Sequence, residues 1–88
     1  MAKKQEAAKD RAEIEKWLVS RLAKTLKVPP SKIDVKEQFT AYGIDSMQAI
    51  GIAGDLQSWI GREIPPTALW NYPTIDALAR FLAGKNGN

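Results

Sequence analysis

The chain has 88 residues, 44% apolar and 26% charged, which allows one small domain with a single core and leaves no room for a large catalytic cleft. It holds no cysteine and no histidine, which excludes disulfide frameworks, thiolate nucleophiles, histidine acid/base pairs and the usual zinc ligand sets. The net charge of +3 is concentrated at the start, where residues 1–27 hold eight of the thirteen Lys/Arg but also four of the ten acids, the mixed pattern of a solvated helix face.

From about Ala7 to Lys27 the spacing predicts a long first helix, with Ile14, Trp17, Leu18, Leu22 and Leu26 recurring at three- and four-residue steps. Pro29-Pro30 cannot continue it, so it should end near Lys27. Residues 28–45 then form a long connection whose Ile33, Val35, Phe39 and Tyr42 supply packing groups, as expected of an ordered loop with room for a short helical turn.

That loop delivers Gly43-Ile44-Asp45-Ser46. Asp45 reads as the N-cap of a second helix, with Gln48 as the reciprocal half of a capping box and Ser46 as its first residue. On a helical wheel Ala49, Ile50, Ile52, Ala53, Leu56, Trp59 and Ile60 make one broad apolar face, with Gln48, Gly51, Asp55, Ser58 and Arg62 opposite and Gly61 as a stop. After Pro65-Pro66, Thr67-Ala68-Leu69-Trp70 suffices for a turn or short third helix before Pro73. Thr74 can cap a last helix with Ile75, Leu78, Ala79 and Leu82 as its stripe, ending at Gly84. Trp17, Trp59, Trp70, Phe39, Tyr72 and Phe81 read as core or rim packing groups. No β alternation appears.

Tyr42-Gly43-Ile44-Asp45-Ser46-Met47 resembles the phosphopantetheine attachment motif of acyl carrier proteins. Downstream, Ile64-Pro65-Pro66-Thr67-Ala68-Leu69-Trp70-Asn71-Tyr72-Pro73-Thr74-Ile75 is similar to the signature of carrier domains in modular polyketide synthases. The resemblance spans roughly Ile14 to Leu82. It implies an all-α fold, a small four-helix bundle of acyl-carrier-protein type with a long loop between helices 1 and 2 and a short third helix. The expected boundaries are a polar extension or helix start over 1–11, the carrier domain over 12–84 and a flexible tail over 85–88.

The resemblance further implies that Ser46 receives 4′-phosphopantetheine from coenzyme A, with Asp45 capping the helix and presenting the serine. Acyl groups would then ride on the arm's thiol, so that the chain carries substrate without performing chemistry. A phosphodiester on Ser46 would sit at a helix N-terminus, where free N–H groups favour negative charge. The missing cysteine is coherent, because the sulfur arrives with the cofactor. Implied partners are a phosphopantetheinyl transferase and acyl-loading and condensing enzymes, with no nucleic acid and no membrane, for a cytoplasmic monomer.

For Ser46 the plain alternative is an ordinary helix-start serine, and the downstream signature favours attachment. The exposed side of the second helix departs from relatives that carry acids there. Met47, Gly51, Gly54, Asp55 and Ser58 form the expected partner contact, with the two glycines allowing close approach at the expense of helix stability, or merely tolerated there. The alternatives to an acyl carrier are a peptidyl or aminoacyl carrier and a helical binding module that uses the basic first helix.

Overall fold

The computed structural model describes residues 10–87, with side chains through Ala83. Among the described residues there are four α-helices: α1 (Arg11–Leu26), α2 (Ser46–Ile60), a one-turn α3 (Ala68–Asn71) and α4 (Ile75–Gly87). No β-strand occurs among the described residues; Gln38 and Thr74 form an isolated antiparallel bridge.

α1 begins later than its apolar spacing suggests. Asp10 is extended and accepts the Glu13 N–H, while the Glu13 carboxylate accepts the Asp10 N–H, so a complete capping box starts the helix at Arg11. Residues 7–9 of the predicted helix lie outside the described residues. The helix closes before the prolines, through Lys27 in the left-handed conformation at φ 60°. The Val28 N–H then bonds the Ala23 carbonyl at 3.0 Å, satisfying one of the terminal acceptors.

Ile14, Leu18 and Leu22 bury one stripe of α1 completely, and α1 packs along α4, whose Ile75, Leu78, Ala79 and Leu82 are equally buried. Ala49, Ile52, Ala53 and Leu56 add the inner face of α2. Each such Leu or Ile contributes about 1.5–3 kcal/mol by leaving water. Trp17 stacks on Trp59, and Arg21 pairs with Asp55. Rising numbers on α1 thus meet falling numbers on α2, so the two helices run antiparallel.

The long connection is ordered by specific bonds. It contains two 3-10 turns, Pro30–Lys32 and Phe39–Tyr42. Phe39 is fully buried, and its N–H bonds the Pro73 carbonyl at 2.8 Å. The Asp76 N–H bonds the Val35 carbonyl at 2.9 Å, which ties the loop to the start of α4 a second time. Thr74 caps that start by accepting the Ala77 N–H at 3.0 Å.

Three expectations need correction. Ile50, placed on the apolar face of α2, is 54% exposed, because it lies one turn beyond Ser46 on the outer side of the helix. Trp70, read as core or rim packing, lies outside the core, 38% exposed on α3, whose buried residues are Ala68 and Leu69. α4 runs through Gly84 to Gly87, since glycine accepts helical dihedrals at a cost of about 1 kcal/mol and stops a helix only where a left-handed cap forms.

Candidate functional site

Gly43 ends the second 3-10 turn at φ +81°, a conformation that an L-residue adopts only with strain. The chain then dips inward at Ile44, which is 4% exposed, and emerges at Asp45. Buried Ile44 and Ala49 hold the N′ and N4 positions of a hydrophobic staple, which fixes the angle at which the loop enters α2.

Asp45 is extended and accepts the Gln48 N–H at 2.9 Å, while the Gln48 side-chain oxygen accepts the Asp45 N–H at 3.2 Å. The Ala49 N–H bonds the Asp45 carbonyl at 2.9 Å. This leaves Ser46 and Met47 at N1 and N2, whose N–H groups have no acceptor inside the helix. Ser46 is solvent-exposed at that end. Its hydroxyl can therefore receive a bulky anionic group without displacing core atoms, and the helix start favours the negative charge. The residues present fit a serine-linked phosphodiester.

Met47 is 79% exposed and lies with Ile50, Gly51, Gly54 and Ser58 on one outer stripe of α2. A Cβ at Gly54 would meet nothing within 4 Å, and one at Gly51 would meet Arg21 Nη2 at 3.5 Å, an ordinary contact. Asp55 stands at the edge of this stripe and is paired with Arg21 of α1. The structure thus brings Ser46, Asp45, Met47, Gly51, Gly54, Asp55 and Ser58 onto one helix, and adds two groups that the sequence pattern did not single out, Ile50 and Arg21. Ile50 was visible in the spacing: at 100° per residue it falls about 40° from Ser46 and three positions from Met47. Arg21 was not, because no local pattern shows which neighbouring helix a cation will reach.

The described residues contain no cluster of His, Cys, Asp and Glu able to hold a metal, and none of their helices is long and apolar enough to cross a membrane. The phosphopantetheine attachment site family matches residues 16–82. A phenolphthiocerol/phthiocerol polyketide synthase from Mycobacterium tuberculosis is 34% identical over 88% of this chain, which spans 4% of that much longer protein. The acyl carrier protein TtuC of Teredinibacter turnerae is 32% identical, with 83% of this chain and 84% of that protein covered. Among solved structures, a free-standing peptidyl carrier protein from Acinetobacter baumannii superposes with a TM-score of 0.83 at 40% identity, covering 88% of this chain and 96% of that one. The acyl carrier protein Asl1650 of Anabaena superposes at 0.82 and 32% identity, covering 97% and 98%. With a family match across the bundle and a helix start suited to the cofactor, the chain belongs to the phosphopantetheine attachment site family, the domain to which 4′-phosphopantetheine is covalently attached.

Proposed function

We propose that the chain is an acyl carrier protein of polyketide-synthase type and that Ser46 Oγ is the atom that receives the arm. The observation that carries this reading is the position of Ser46, exposed at N1 of α2, with two N–H groups unspent and its neighbours fixed by the Asp45 and Gln48 cap. The bound arm supplies a terminal thiol on which acyl groups travel as thioesters. The chain's own residues hold the serine at the helix start, favour the phosphodiester charge through the helix N-terminus and leave the outer side of α2 open to enzymes.

A phosphopantetheinyl transferase would install the arm, and the loading and condensing enzymes of a synthase would use it, with the chain acting as a cytoplasmic monomer. Met47, Gly51, Gly54 and Ser58 are assigned to the contact with these enzymes. Asp55 belongs to the same surface, but its pairing with Arg21 weakens any docking based on its charge. The site assignment is tested by treating the protein with coenzyme A and a broad-specificity transferase, then mapping the modified peptide. Modification of the peptide containing Ser46 is expected; modification at another serine would overturn the assignment.

Likeness to a peptidyl carrier protein at 40% identity favours a second reading, an aminoacyl or peptidyl carrier. Offering the holo protein in parallel to an acyltransferase with malonyl-coenzyme A and to an amino-acid-adenylating enzyme separates the two. The acyl reading expects charging by the first, and charging by the second alone would replace it.

A further inference from the structure

Apart from Arg21, the candidate site makes no use of the basic first helix. Lys16, Ser20 and Lys24 recur at four-residue steps along α1 and so line one exposed stripe about 12 Å long. Neither lysine takes part in an ion pair among the described residues. Beside them half-buried Trp17 stacks on Trp59, with ring centroids 5.5 Å apart and planes 16° from parallel.

Two adjoining cavities open on this seam between α1 and α2. One, of about 450 Å³, is lined by Trp17, Ser20, Arg21, Lys24 and Asp55. The other, of about 370 Å³, is lined by Glu13, Lys16, Trp17, Ser20 and Trp59. They share Trp17 and Ser20, and together form a groove with an aromatic floor and a cationic rim. Both acids at the rim are engaged, Asp55 with Arg21 and Glu13 with the Asp10 N–H. The charge left to an incoming group is that of Lys16 and Lys24, offset in part by Glu13, which keeps its charge while accepting that N–H.

We propose that this groove docks an acidic amphipathic segment of a partner polypeptide, with carboxylates at Lys16 and Lys24 and an apolar side chain against Trp17. Complementary charge sets the partner's chemistry, and the aromatic floor supplies the apolar anchor. Nucleic acid suits the groove less well, because its cationic rim is two lysines about 12 Å apart and not the continuous basic surface that a phosphate backbone takes. Asp55 and Trp59 lie about 14 and 20 Å along α2 from Ser46, so a docked segment leaves the attachment end open. The groove would thus hold the carrier on a partner while the arm works elsewhere, which raises the effective concentration of its cargo.

The test is an NMR titration of the ¹⁵N-labelled full chain with a synthetic helical peptide in which Glu recurs every fourth residue beside Leu. The expected result is shifts concentrated at residues 16–24 and at the Trp17 and Trp59 indole N–H groups, with Kd on the order of 10⁻⁴ M at low salt. Lys16→Glu combined with Lys24→Glu should weaken binding about tenfold or more. A thermal melt checks that this variant folds, and Lys16→Gln with Lys24→Gln replaces it if it does not. Equal binding of a peptide with Lys in place of every Glu, shifts confined to other faces, or tighter binding of duplex DNA overturns the proposal. Loading of Ser46 on the same sample separates the two readings: loading without peptide binding removes the groove alone, and peptide binding without loading removes the Ser46 assignment alone.

Discussion

Tyr42 holds Asp34 by both sides of its backbone: the phenol oxygen accepts the Asp34 N–H at 2.6 Å and donates to the Asp34 carbonyl at 3.0 Å. The clamp joins residues eight positions apart and ties Asp34 to the end of the turn that leads to Ser46. Tyr42→Phe removes both bonds while keeping the ring. Because the site is partly exposed, water replaces some of what is lost, and the expected cost is about 1 kcal/mol. Calorimetry should show Tm falling by roughly 4–8 °C.

At the start of α2 the cap separates geometry from charge. Asn and Asp cap helices almost equally, so Asp45→Asn should keep Tm close to that of the parent. Asp45→Ala abolishes the bond to the Gln48 N–H and should cost about 1 kcal/mol. Transferase rates on the two variants then show whether Asp45 presents Ser46 beyond capping: a slow Asp45→Asn with an unchanged Tm would show that it does.

Gly51 and Gly54 lie inside α2 with room for a methyl group. Replacing both with alanine should raise stability by about 1–2 kcal/mol, since each glycine costs about 0.5–1 kcal/mol in a helix interior. If partners need close approach to this stripe, the stabilised variant will be loaded and used more slowly. Unchanged use would show that the glycines are merely tolerated there.

Asp76 gathers Arg80 at 3.4 Å, Arg11 at 3.7 Å and Lys36 at 4.0 Å, joining α4, α1 and the loop at one shielded carboxylate. Asp76→Asn keeps the backbone bond to Val35 and removes the charge. The expected loss is about 1 kcal/mol at low salt, and the difference from the parent should narrow at high salt as the cations are screened. A salt-independent difference would assign the effect to packing.

What could be read from sequence depended on how local each cause was. The start of α2, its Gly61 stop and the Thr74 cap come from residues within three or four positions of one another, and the stripe of α4 repeats at helical spacing. The Asp10 and Glu13 capping box was equally local, but the helical spacing of the first segment was read as starting earlier, at about Ala7. Tertiary partners left no such trace. Nothing near Phe39 announces the Pro73 carbonyl, and nothing near Asp55 announces Arg21. Ile50 and Trp70 followed the apolar pattern and still face solvent beside the attachment end and on α3, since hydrophobicity alone does not distinguish a core position from a contact surface.

The central claim is that Ser46 carries the arm. Intact mass of the wild-type chain and of Ser46→Ala, each incubated with coenzyme A and a broad-specificity transferase, tests it most directly. A gain of one phosphopantetheine by the wild type alone is the predicted result; no gain by the wild type, or the same gain by both, would contradict it.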